Sequence, residues 1–148
     1  MATLLPDDFR EFLKLCNRRR VKYLLIGGYA VGYHGYDRAT ADMDVWIEIS
    51  DDNAARMVKA LIDFGFGVTG LSAEPFATKG QIVRMGVPPL RLEILNDISG
   101  VNFEDCYKRR DLVQIDGIRV PVISRDDLIR NKIASGRSKD LDDLEHLA

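Results

Sequence analysis

Asp42 and Asp44 flank Met43 at the start of an apolar run, "DMDVWIEI". If the run is a strand, its period of two puts both carboxylates on one side, about 7 Å apart along the backbone, and turns Met43 and Val45 into the core. Two acids so placed raise each other's pKa unless a cation lies between them. Hard carboxylate oxygens suit magnesium or manganese. Glu93, in "LRLEIL", interrupts a second strand pattern that has no need of a charge. On a strand beside the first it would complete a three-carboxylate site, Asp42, Asp44 and Glu93, for in-line phosphoryl transfer, with Glu93 as general base. The competing reading leaves the aspartates facing solvent and pairs Glu93 with Arg91 or Arg84 across strands.

What precedes the carboxylates favours chemistry. "LLIGG" ends a short apolar run on Gly27 and Gly28, and the next residues form a short helical pattern. The free main-chain N–H groups of Gly27, Gly28 and Tyr29 would then sit at a positive helix end, where glycine lets a phosphate approach closely. Arg38, four residues before Asp42, could bind phosphate through its guanidinium fork or pair with Asp37 or Asp42. Lys132, in "LIRNKIAS", could carry an ammonium to a triphosphate on its long stem, or simply face solvent. Arg137 and Lys139 lie near Asp140, Asp142 and Asp143, so local ion pairing explains them most simply. His34 and Trp46 read as packing residues, and Thr40 as shaping the turn into the strand.

The elements that must position these groups alternate along the chain. Residues 7–18 place Phe9, Phe12, Leu13 and Cys16 at helical spacing after Pro6. "KYLLIGG" reads as a buried strand, "YAVGYHGY" as a short helix, and "MDVWIEI" as the second strand. "NAARMVKALIDFGF" carries helical spacing through Met57, Leu61, Ile62 and Phe64 and stops at Gly65. "GQIVRMGV" and "LRLEIL" are strands parted by two prolines. Asp116-Gly117 is a hairpin turn within "LVQIDGIRVPVI". Ser124 caps a helix that should bury Leu128, Ile129 and Ile133, and a last helix follows Gly136. The order predicts an α+β domain, helices packed on a mixed β-sheet.

At 148 residues, 46% apolar and 30% charged, the chain fits a single globular domain over residues 1–148. No apolar stretch reaches membrane length, and the N-terminal residues lack a basic start before their apolar positions, which predicts a cytoplasmic protein without a membrane partner. Cys16 and Cys106 form no CxxC or Cys/His cluster, which argues against a zinc site or disulfide framework. A formal charge of -2 offers no global positive field for nucleic acid. The arginines at 18–20 end a helical pattern, where cations favour the negative helix end.

Taken together, "LLIGG" and "RATADMDVWIE" resemble the polymerase-β-like nucleotidyltransferase superfamily, in particular its small bacterial and archaeal members, which include antitoxin-like proteins. Arg38, Thr40, Asp42 and Asp44 match an Arg-x-Thr-x-Asp-x-Asp pattern of those members, and "NKIASGRSKDLDDLEHL" resembles their closing segment. The resemblance implies the polymerase-β palm-like fold. It also implies attack by a substrate hydroxyl on the α-phosphate of a nucleoside triphosphate (NTP), ATP among the candidates, with release of pyrophosphate. Asp42, Asp44 and Glu93 would hold Mg²⁺ or Mn²⁺, and Gly27 and Gly28 would cradle the triphosphate. Two positions depart from the family pattern: Gly28 where many members have serine, and Glu93 where aspartate is more frequent. The acceptor stays open between a protein hydroxyl, an RNA end and a small molecule. The absence of a separate acceptor-gripping domain points to a second chain, a homodimer or a helical partner. The alternative is a weakly active or inactive protein of the same fold, serving as an antitoxin-like or scaffold binding partner.

Overall fold

The computed structural model describes residues 5–36, 40–67, 71–87 and 90–147. Arg38 lies outside them. α1 (Asp7–Arg18) starts behind Pro6, carries Asp7 and Asp8 in its first turn and Arg18 in its last, and buries Phe9, Phe12, Leu13 and Cys16. This charge order suits the helix dipole. β1 (Tyr23–Ile26) is buried at every position. α2 (Gly27–Tyr33) starts at the glycine pair itself, two residues earlier than the sequence pattern suggests. β2 (Asp42–Ile47) follows, then α3 (Asp51–Phe64), capped by the Ser50 hydroxyl and closed by Gly65 at φ 107°.

The second half adds two short helices that the periodicity did not reveal. α4 (Glu74–Ala77) has only four residues, and α5 (Phe103–Lys108) six, the latter capped by Asn102. Neither is long enough to display a repeating apolar face. β3 (Ile82–Val87) and β4 (Leu90–Leu95) run antiparallel, and β5 (Asp111–Ile115) and β6 (Ile118–Val122) form the hairpin around Asp116 and Gly117. Both turn residues have positive φ, 52° and 78°, as a tight two-residue hairpin requires. α6 (Arg125–Ser135) is capped by Ser124, and α7 (Ser138–Leu147) packs back on it.

The strands form one sheet in the order β3-β4-β2-β1-β6-β5. β1 pairs antiparallel with β2 and parallel with β6, and β2 pairs parallel with β4, so the sheet is mixed, as expected. On one face Met43, Val45, Leu92 and Ile94 are buried in the core. The alternation of the strands therefore turns Asp42, Asp44, Arg91 and Glu93 to the other face. Trp46 is buried against Phe103 as a core residue. α6 departs from its expected facing: Ile133 is 63% exposed, while Lys132 and Asp127 are buried. The helix has turned a charged stripe inward, and the reason lies in the ion pairs described below. Among the described residues no helix is long and apolar enough to cross a membrane.

Candidate active site

The register of the sheet builds the site. Asp44 stands opposite Glu93 across the parallel β2–β4 pair, and Asp42 opposite Arg91. Antiparallel β1 ends at Ile26, opposite Asp44, so Gly27 falls directly beside the Asp44 carboxylate. A Cβ at Gly27 would collide with that carboxylate, and φ there is 67°. Glycine is required twice over, by the backbone conformation and by the space.

Asp44 is the electrostatically unusual residue of this face. Its Oδ1 is buried without a hydrogen-bond partner among the described residues. Burial, then the neighbouring Glu93 carboxylate, push its pKa up to about 7, against a smaller opposing pull from Lys139. A carboxyl in that condition takes up a proton near neutrality or welcomes a cation. Glu93 is held from its other side by Arg84 at 2.9 Å, the cross-strand pair of the competing sequence reading. Asp42 is engaged by the Arg91 guanidinium at 3.2 and 3.3 Å, a half-exposed pair. The three carboxylates are thus a facing pair plus one turned to an arginine, and among the described residues no group of three acidic, His or Cys side chains is arranged for a metal ion. The pair itself fits a hard divalent cation: its donors are all oxygen, one is buried and unsatisfied, and Lys139 and Arg137 act on Asp44 through their charge without an ion pair to it among the described residues.

A cavity of about 250 Å³ opens over this pair. Gly27 and Gly28 line one side, Asp44 and Glu93 the floor, and Lys132, Arg137 and Lys139 the side formed by α6 and α7. Asp42 and Tyr29 are not among its lining residues; the Tyr29 ring is buried edge-on against Phe9. Lys132 is neither solvent-exposed nor free. It is 4% exposed, with Nζ 3.1 Å from both Asp140 and Asp143. Arg137 also pairs with Asp140, at 2.8 Å, so local pairing and cavity lining hold together for this residue. Burial works against the Asp140 charge, but bonds from Arg137, Ser135 and Lys132 outweigh it and hold its carboxyl below the usual range.

The departure at Gly28 has a steric reason. A Cβ there would meet the Thr40 side chain at 2.9–3.0 Å. Thr40 fills the place a serine would need, and its hydroxyl bridges to the main chain of Asp42, donating to the carbonyl at 3.1 Å. It thereby shapes the entry to β2. His34 meets the Ile123 carbonyl at 2.7 Å and fastens α2 to the end of β6, a packing role. Sequence reading overlooked Asp97, Ser99, Asn131 and Ser135, which also line the cavity. Asn131 and Ser135 fall in the closing segment without having been given a role, and no motif marked Asp97 or Ser99, because the loop after β4 and the α6 face meet only in the folded chain; Asn131 bonds the Ser99 carbonyl at 3.0 Å.

Solved structures with this fold include a Thermotoga maritima protein assigned as a nucleotidyltransferase, with a TM-score of 0.66 and 17% identity over 97% of this chain and 94% of its own. The lincomycin-bound lincosamide antibiotic adenylyltransferase LnuA gives 0.58 and 16%, over 97% and 96%. The antibiotic-resistance factor ANT(2'')-Ia gives 0.61 and 10%, over 95% and 80%. At such identities the likeness speaks for the fold alone. No curated protein matches the chain. The family described as nucleotidyltransferase of unknown function (DUF6036) matches residues 7–148; with nearly the whole chain covered, this protein belongs to that family.

Proposed function

We propose that the protein is a metal-dependent nucleotidyltransferase that moves a nucleoside monophosphate from an NTP to a hydroxyl of an acceptor. The observation that carries this reading is the facing Asp44–Glu93 pair, in which one Asp44 oxygen is buried without a partner among the described residues, at a cavity lined also by main-chain glycine and cationic side chains. The hydroxyl oxygen attacks the α-phosphorus, the bond to the bridging oxygen of the β-phosphate breaks, and pyrophosphate leaves. The hydroxyl proton passes to the carboxylate pair, with Glu93 oriented by Arg84 as its acceptor. Gly27 and Gly28 let the triphosphate approach the main chain, while Arg137 and Lys139 offset its charge from the α6–α7 side. Asp42 joins Asp44 and Glu93 as a metal ligand by leaving Arg91, a half-exposed partner whose loss costs little. A bound Mg²⁺ or Mn²⁺ supplies Lewis-acid neutralisation of the phosphate oxygens and of the facing carboxylates.

The fold relatives LnuA and ANT(2'')-Ia, an antibiotic adenylyltransferase and an antibiotic-resistance factor by their names, make small hydroxylated molecules the first acceptors to test. Incubation with α-labelled NTPs, Mg²⁺ and panels of small-molecule, RNA and protein acceptors should give a labelled product and pyrophosphate. Glu93→Gln and Asp44→Asn should each lower it by about 10²- to 10³-fold. Label transfer undiminished by either substitution would overturn the assignment.

A further inference from the structure

A second cavity, of about 570 Å³, lies at the opposite end of β1 from Gly27. Lys22 immediately precedes β1, and Arg119 sits early in the parallel strand β6, so both are at that end. Arg20, Arg56 and Arg110 complete five cationic side chains around this cavity, and no Asp or Glu is among its lining residues. Only Lys22 has a carboxylate partner, Glu48 at 3.5 Å; among the described residues none of the four arginines has one. A chain whose formal charge is -2 has thus gathered unpaired positive charge in one concavity.

Two of these arginines have distinctive local settings. Arg20 adopts φ 59° at the end of α1, a position where glycine or asparagine would be unstrained. The chain keeps an arginine there, on the rim of the cavity. Arg110 is fixed by its Nη1 bond to the Tyr107 carbonyl at 2.7 Å and by stacking over the Tyr107 ring at 4.0 Å, while its Nε has no acceptor among the described residues. Like charges that line one cavity repel, and a multiply charged anion there offsets several of them at once. Guanidinium groups match phosphate oxygens in geometry as well as charge.

We propose that this cavity binds a small ligand carrying a polyphosphate group. The proposal does not depend on the transfer reaction. The compact ligand is favoured over a nucleic-acid strand because five cationic side chains line one cavity while the chain as a whole carries a formal charge of -2. Tyr107 already stacks with Phe103 and Arg110, which leaves charge, and not ring stacking, as the basis of recognition.

The test is a titration of ¹⁵N-labelled protein with inorganic tripolyphosphate in EDTA, followed by amide chemical shifts and by calorimetry. Saturable shifts are expected at residues 20–23, 107–112 and 119. The double variant Arg56→Ala, Arg119→Ala, whose own spectrum reports its folding, should bind about tenfold more weakly or worse, from the loss of charge-assisted bonds. Orthophosphate should bind more weakly than tripolyphosphate. Shifts confined to residues 27–29 and 137–139, unchanged affinity in the double variant, or binding of a single-stranded oligonucleotide with none of tripolyphosphate would each overturn the proposal.

Discussion

The cavity over β2 and β4 has two kinds of buried charge within one wall-to-floor distance. On the α6–α7 wall, Asp140 and Asp143 surround Lys132, and Arg137 closes the cluster from outside. On the floor, Asp44 faces Glu93 with one oxygen unsatisfied and its pKa raised to about 7. The first group is electrically complete, and its charges hold two helices together. In the second, Arg84 pairs with Glu93 but no cation is bonded to Asp44 among the described residues. Burial alone therefore does not separate structural from chemical charge; compensation does.

Breaking the wall should produce the largest effect. Lys132→Met leaves two buried carboxylates facing each other and should lower stability by about 3–5 kcal/mol in urea unfolding. A loss below about 1 kcal/mol would mean that the cluster is not what fixes α6 to α7.

Substitution on the floor should act in the opposite sense on stability and strongly on activity. Asp44→Asn removes an uncompensated charge, so the metal-free variant should be at least as stable as the wild type at pH 8, while transfer falls by about 10²- to 10³-fold. The pH dependence follows from linkage. The folded pKa of Asp44 lies above its ordinary value of 3.8, so the folded state binds the extra proton, and the wild type loses stability as pH rises from about 4 to about 7. Asp140 is depressed, so its contribution is present at neutral pH and fades as pH falls below about 4. The stability gap between Asp44→Asn and wild type should open across pH 4–7 and then level off; a gap that stays constant would show that Asp44 does not titrate there.

Supplying the missing charge should sharpen the contrast more gently. Mg²⁺ at a hundred times its Kd should stabilise the wild type by about 2.7 kcal/mol at pH 8, seen as a rise in Tm. Neither Asp44→Asn nor Glu93→Gln should respond, and Lys132→Met should respond if it remains folded. The smallest effect is expected at the edge of the site. Arg91→Gln frees Asp42 and should tighten apparent Mg²⁺ affinity by roughly two- to fivefold. Weaker Mg²⁺ binding in this variant would place Arg91, and not Asp42, on the productive side.

Legibility in the sequence followed the range of the interactions involved. The elements with local signatures stood out: the α1 spacing, the Asp116-Gly117 turn, the Ser124 cap and the alternation of β2. Opposition of Asp44 and Glu93 required the right strand neighbours, which the strand patterns allowed but did not dictate. What escaped was set by distant partners. Ile133 faces solvent because Lys132 is drawn inward by acids eight and eleven residues away, on the next helix. Asp42 turned to Arg91, its partner on β4. The α5 helix owes its start to Asn102 and its place to Phe103 against Trp46, a contact no short window displays.

The contact between Gly28 and Thr40 has an evolutionary corollary. A serine introduced at position 28 would meet steric conflict unless position 40 were made smaller beforehand. The two sites should consequently show epistasis: a side chain at position 28 harmful beside Thr40 and tolerated once position 40 is smaller.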